Sequence, residues 1–293
     1  MEAIMNMSFR ILVLTILVLI GMAGNSLLAR AALGGHLIGP LPFTVIRLVS
    51  GFIMLLLLAL IARVRPRLSH ILMPVMLLLY ALAFAYGYLQ LGAATGTLFL
   101  FFAIQATILC WEIFKGYRLS AWQWLGSGLS LWGLWILVGG ISNLPDIIGI
   151  VLMIIAGISW GLYSMLGKKI TDSLAVTTAN FVWSGLAVLI IFAVVDIFDL
   201  GGRESIYISM PGLYYALVVG AITSALVYVV WYMLVQELSG VTSASVQMAV
   251  PVVVILGSAP LLGEQITNHL LIGGAIMISG FFFVTLTKHL RKH

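Results

Sequence analysis

Long uncharged apolar runs alternate with short polar breaks along the whole chain. Ten windows stand out, at about 9–31, 42–62, 70–91, 94–114, 121–140, 146–166, 174–197, 210–236, 242–262 and 268–287. Each approaches the ~20 residues needed to cross a bilayer. Helix satisfies every backbone polar group within one segment, so each window is expected to be a helix. The stretch from Ser239 to Glu264 shows the pattern best. Ser239, Thr242, Ser243 and Ser245 lead into an apolar run that Gln247 and Pro251 interrupt. These two are four residues apart and share one helix face. Pro260 breaks the far end, Gly263-Glu264 closes it, and no charge lies between Ser239 and Gly263. A signal peptide is the other reading of the first window, which has Arg10 at its start and small residues after it. Its place in the repeat described below favours a span.

Composition agrees. Of 293 residues, 62% are apolar and 8% charged, against about 25% charged in a soluble domain. Most of the surface must therefore face lipid, and linkers leave no room for a sizeable extramembrane domain. The five His lie in or beside loops or at the tail without metal-ligand spacing, so no metal is expected. The single Cys, Cys110, is expected to be a small buried hydrophobe. No GxxxxGK[ST] loop is present, so no ATP hydrolysis and no cofactor is expected. With the N-terminus in the cytoplasm, eleven of the fourteen Lys and Arg fall on the cytoplasmic side. The positive-inside rule then puts both termini there.

The chain also repeats itself. A shift of 147 residues lays Tyr117 on Glu264, Gly126 on Gly273, Gly133 on Gly280 and Thr95 on Thr242. Ile104 falls on Pro251, so the first copy lacks the proline. The helices that carry these two positions are expected to bend unequally. At another offset, Gly24 falls on Gly161 near the start of each half. Five helices is an odd number, so the halves, 1–143 and 144–293, would insert with opposite orientation. The expected fold is an all-α integral membrane protein of ten transmembrane helices in two inverted five-helix repeats, a plan with its site near the midplane.

Certain residues carry a resemblance. They are Ala23-Gly24-Asn25-Ser26 and Arg30 in the first window, Phe43-Thr44-Val45-Ile46-Arg47 in the second, and Gly96-Thr97 in the fourth. Gln123-Trp124-Leu125-Gly126, Ser159-Trp160-Gly161-Leu162-Tyr163 and Trp231-Tyr232 follow, and then Gln247 through Pro251 to Gly263-Glu264. In that order the chain resembles the EamA-type members of the drug/metabolite transporter superfamily. The resemblance implies domains 1–143 and 144–293 as one EamA repeat each, and export of small metabolites or drugs by alternating access. Where that family's pattern usually has a proline and an acid in the first half, this chain has Ile104 and Tyr117. Gln105 in Ala103-Ile104-Gln105-Ala106-Thr107 resembles one EamA branch.

Polar groups deep in a span mark an interior pathway. Asn25, Gln105 and Gln247 lie inside their windows, and an amide can donate and accept without charge. They are either substrate ligands or interhelical glue, worth ~0.6 kcal/mol a bond. Pro251 frees a carbonyl one turn earlier, near Gln247. Tyr228, Trp231 and Tyr232 share one face, as do Trp160 and Tyr163. Tyr80, Phe84 and Tyr88 recur at four-residue spacing. Such aromatics line either a pocket or an interface belt; Trp111, Trp122, Trp124 and either Trp132 or Trp135 fit the belt better. Arg47 either snorkels, forms a structural pair, or meets a substrate carboxylate. The Gly92-x-x-x-Gly96 and Gly157-x-x-x-Gly161 spacings predict close helix packing.

The reading is an exporter in the cytoplasmic (inner) membrane. Its expected partners are the lipid bilayer and a small-molecule substrate, with no nucleic acid. Proton or ion coupling is left open, and the state is monomer or weak homodimer. An integral-membrane enzyme on lipid would need a His/Asp or Ser/His constellation at one interface, and the His residues are scattered. A non-transporting scaffold would not explain inverted halves.

Overall fold

The computed structural model describes residues 2–118, 120–139, 146–199, 206–238 and 240–286. The helices are α1 Glu2–Gly34, α2 Pro40–Ile61, α3 Leu72–Gln90, α4 Ala93–Phe114, α5 Ala121–Gly139 and α6 Ile147–Leu166. They continue with α7 Ser173–Ile197, α8 Met210–Val218, α9 Val227–Glu237, α10 Gly240–Gln247, α11 Ala249–Leu262 and α12 Asn268–Leu286. A π-helical stretch, Val219–Leu226, joins α8 to α9, so that Met210–Glu237 runs as one long apolar segment. Seven segments among the described residues are long and apolar enough to cross a membrane. Shorter apolar helices among the described residues lie at Ala249–Leu262 and Asn268–Gly280.

Local chemistry sets the ends. Asp146 accepts from the N–H groups of Ile148 and Gly149 to start α6, and Asp172 from that of Ala175 to start α7. Both caps satisfy donors that a first turn leaves free. Pro40 and Pro42 open α2 and Pro211 opens α8, where a missing N–H costs nothing. Gly263, at φ 67°, closes α11 in the left-handed region.

The bundle is assembled by exchange. α6 packs on α3 and α4, while α1 packs on α9, the π stretch and α11. α2 packs with α7, and α5 with α12. The α5–α12 contact is reciprocal. A Cβ at Gly133 would strike the backbone of Gly273 and Met277, and a Cβ at Gly280 would strike Gly126 and Ser130. Ser130 Oγ donates to Met277 O at 3.1 Å. Ser130 and Met277 are 147 residues apart, as are Gly126 and Gly273, and Gly133 and Gly280. Gly157 and Gly161 likewise bring α6 against α4, at Leu100 O and Thr107.

The exterior is apolar. Leu60, Phe114, Trp135, Ile190, Ile197 and Leu256 are exposed, as a lipid-facing surface requires. Trp122, Trp124 and Trp132 are exposed as well, which suits a belt. The interior holds the aromatics and amides, with Trp231, Tyr88, Tyr163, Tyr228 and Tyr232 almost wholly buried. Cys110 corrects an expectation, since it is exposed on α4. Lipid is as apolar as the core, so hydrophobicity alone does not choose between the two faces. α4 is one unbroken helix, whereas the stretch expected to mirror it divides at Met248 into α10 and α11. The break falls in the turn before Pro251, which cannot donate to a carbonyl there.

Candidate substrate cavity

The interior aromatics converge on one point. The rings of Trp160 (α6) and Tyr228 (α9) lie 4.5 Å apart, those of Tyr80 (α3) and Trp160 5.0 Å, and those of Trp160 and Tyr163 5.6 Å. Beside them is a cavity of about 20 Å³, room for about one water. Asn25 and Ser26 from α1, Tyr80, Ile104 from α4, Trp160 and Tyr228 are among its walls, with Met22, Leu100 and Phe101. Five helices thus meet around a space that is mostly apolar, with a few hydrogen-bonding groups.

A polar network backs the wall. Arg47 Nε donates to Ser224 Oγ at 2.9 Å, and its Nη2 donates to Tyr228 Oη at 2.8 Å. Longer contacts, both 3.5 Å, reach Asn25 Oδ1 and Tyr80 Oη. Asn25 Nδ2 donates to Ser224 Oγ at 3.0 Å and to Thr223 O at 3.2 Å. The π-helical stretch supplies both acceptors. Its i→i+5 winding is a frequent mark of functional sites. It also lets Gly220 press on the backbone of Arg47, where a Cβ would not fit. Arg47 is 1% exposed; it does not snorkel.

Each end of the bundle is held by a carboxylate. Glu264, just after α11, accepts from Ala93 N at 2.8 Å and Ala94 N at 3.5 Å, at the start of α4. Arg30, near the end of α1, donates to Glu264 at 3.1 Å and to Tyr88 O at 2.7 Å. At the other end of α4, Glu112 lies 3.9 Å from Lys168. Its carboxylate also sits where a Cβ on Gly240, the first residue of α10, would be.

Residues 147–286 match the model of the EamA-like transporter family. An uncharacterized protein of Pseudomonas aeruginosa is 40% identical over 264 residues, covering 89% of each chain. The chain belongs to the EamA-type transporters. It is therefore a multi-pass membrane transporter of the drug/metabolite superfamily. A probable amino-acid metabolite efflux pump of Escherichia coli is 25% identical over 220 residues, 72% of this chain and 74% of that one. An uncharacterized transporter of Clostridium kluyveri is 26% identical over 144 residues, 48% of this chain and 45% of that one. A solved crystal structure superposes with a TM-score of 0.67 at 16% identity, over 96% of this chain and 98% of that one, a likeness of fold.

Within this EamA transporter, Asn25, Trp160 and Tyr228 line the cavity, and Tyr163 and Arg47 stand directly behind them. Gln247 accepts from Trp160 Nε1 at 2.8 Å, and its own amide donates to Ser243 O at 3.3 Å. It therefore orients the indole. Trp231 is one turn from Tyr228 and donates to Ser164 Oγ at 3.1 Å, away from the lining. Gln105 and Pro251 are buried but are not among the lining residues. Gln105 Oε1 has no partner. Sequence reasoning saw the Tyr80 stripe without placing it at the site, and missed Ser224. The signal was a hydroxyl pair, Thr223-Ser224, in mid-window. Among the described residues no three His, Cys, Asp or Glu group to hold a metal.

Proposed function

We infer that this protein is a secondary transporter of the cytoplasmic membrane that exports a small metabolite or drug-like molecule by alternating access. It would have ten spans in two inverted five-helix halves, 1–143 and 144–293, with both termini cytoplasmic. The observation that carries the reading is a nearly closed aromatic and amide cavity with a carboxylate contact at each end. That is what an occluded transporter needs: one site, and two gates that open in turn. The reciprocal α5–α12 contact at a spacing of 147 supports the inverted halves. The positive-inside count supports the orientation. The substrate would sit against Trp160, Tyr80 and Tyr228, with Asn25 and Ser26 as hydrogen-bonding groups. Gln247 and Tyr163 hold the aromatic wall in place. Arg47, Trp231, Gln105 and Pro251 shape the shell around it.

A relative named as a probable amino-acid metabolite efflux pump makes amino acids the first panel to try. The test is accumulation of labelled amino acids and small drugs in inverted vesicles, with and without a pH gradient. Trp160→Ala is expected to lower flux of any transported compound at least ~10-fold while the protein still inserts, since a buried aromatic anchor is worth 2 kcal/mol or more. Unchanged flux in Trp160→Ala would remove the cavity from the mechanism.

A further inference from the structure

Arg47 is a fixed positive charge with no negative partner among the described residues. Its side chain is 1% exposed, and every group it donates to is neutral: Ser224, Tyr228, Asn25 and Tyr80. Its guanidinium carbon lies 5.1 Å from the centre of the Tyr80 ring and 4.8 Å from that of Phe84. Nη1 has no hydrogen-bond partner among the described residues. The acids cannot help where they stand. Among the described side chains, Glu112, Asp196 and Glu237 are in last turns, Asp199 follows α7, Asp146 and Asp172 cap helix starts, and Glu264 follows α11. No span carries an acid at its centre.

A guanidinium stays protonated in a protein. Holding one in a span costs roughly 2.5–3.5 kcal/mol, and a buried donor without an acceptor adds ~1–3 kcal/mol. Snorkelling would relieve both costs, but burial excludes it. A structural ion pair would relieve them as well, but no carboxylate meets Arg47 among the described residues. What remains is an acceptor that comes and goes. Three of the side chains that touch Arg47, namely Asn25, Tyr80 and Tyr228, are also walls of the cavity. Two of those contacts, to Asn25 and Tyr80, are long at 3.5 Å and are the easiest to exchange.

We propose that Arg47 is the carboxylate subsite of the cavity, and that the cargo is a small molecule with one carboxylate and an apolar body. This rests on the cavity being the transport site. One guanidinium matches one carboxylate, edge to edge through two parallel N–H···O bonds. The free Nη1 supplies one of these, and Nη2 supplies the other when it leaves Asn25 and Tyr80. The rest of the wall, with Met22, Leu100, Phe101 and Ile104, is apolar and suits a hydrocarbon body. At about 20 Å³ the space holds a water and no more, so cargo enters only as the walls part. The same motion frees Arg47 from its long contacts.

The test compares acids with their amides on the full-length protein in nanodiscs. Phenylacetate, 4-methylpentanoate, phenylalanine and leucine are the acids, and phenylacetamide, 4-methylpentanamide, phenylalaninamide and leucinamide the controls. Binding is read as ligand-induced thermal stabilisation. At least one acid is expected to bind ~10-fold or more tightly than its amide, the worth of a charge-assisted bond. Binding by the simple acids alone, or also by the amino acids, tells whether an ammonium group is accepted. Arg47→Gln is expected to erase the acid preference, and Arg47→Lys to keep part of it. If Arg47→Gln does not fold, the wild-type ratios decide alone. Amides that bind as well as acids, or a panel in which no acid binds, overturn the assignment. Amides or amines that are transported and lose transport in Trp160→Ala would overturn it while leaving the cavity in place. Transport untouched by Trp160→Ala would remove both.

Discussion

The two ends of α4 are held by the same device at different strengths. At its start, the Glu264 carboxylate takes two backbone N–H groups and the Arg30 side chain, and Arg30 also grips Tyr88 O. At its end, Glu112 meets the first residue of α10 and a Lys168 ammonium at 3.9 Å. In both cases an acid at one helix end seats on the start of another helix, where the macrodipole and free amides favour negative charge. The first contact has a short ion pair and a bidentate-type cap; the second has a longer pair to a flexible point charge. In the orientation inferred above, the firm latch faces outward and the loose one faces the cytoplasm. The difference teaches that, if these contacts are the gates of the proposed cycle, two gates of one design need not be equally hard to open. A loose inner latch would favour loading from inside, as the proposed export requires.

The comparison can be broken in order of effect. Cys110 is the chain's single cysteine, so Cys110→Ser with Leu100→Cys gives a reporter on the cavity wall, labelled by a water-soluble maleimide from either face. Glu264→Gln should have the largest effect. It removes the charge that α4 and Arg30 share, about 1–2 kcal/mol, and should raise labelling from the outer face ~10-fold. Next is Gly240→Ala, whose Cβ displaces the Glu112 carboxylate. Loss of that seat, ~0.5–1 kcal/mol, should raise labelling from the cytoplasmic face a few-fold. Lys168→Gln comes last. Both partners are partly exposed, so the pair is worth only ~0–0.5 kcal/mol, and the change in cytoplasmic labelling should be slight. If Lys168→Gln opens the cavity more than Glu264→Gln does, the ranking of the two latches is reversed.

Much of the bundle was legible because each span is set by local hydrophobicity. The fourth window was expected at 94–114 and the helix is Ala93–Phe114; the sixth was expected at 146–166 and the helix is Ile147–Leu166. The aromatics were legible too, because Trp160, Tyr163 and Tyr228 lie far from the interfaces where belts form. The face of each helix was harder to read. Lipid and core are equally apolar, so the exposure of Cys110 and the inward turn of Arg47 leave no trace in hydropathy. The π-helical stretch was invisible for another reason. It goes with the close approach of Gly220 to the Arg47 backbone, a contact between segments 173 residues apart. The seating of Glu112 against Gly240 has the same long-range origin.

The reciprocal contact between α5 and α12 has a mechanical consequence. When two halves trade shapes, most contacts on one side are remade on the other. Ser130 and Met277 are each other's counterparts at the 147-residue spacing, so such an exchange maps this pair of positions onto itself, although the hydrogen bond is one-sided because only the Ser130 side chain can donate. The glycines around it fall into matching pairs in the same way. In the proposed cycle the same positions would face each other across that seam in both states, so it would stay closed throughout. It would serve as the fulcrum on which the remaining helices lever.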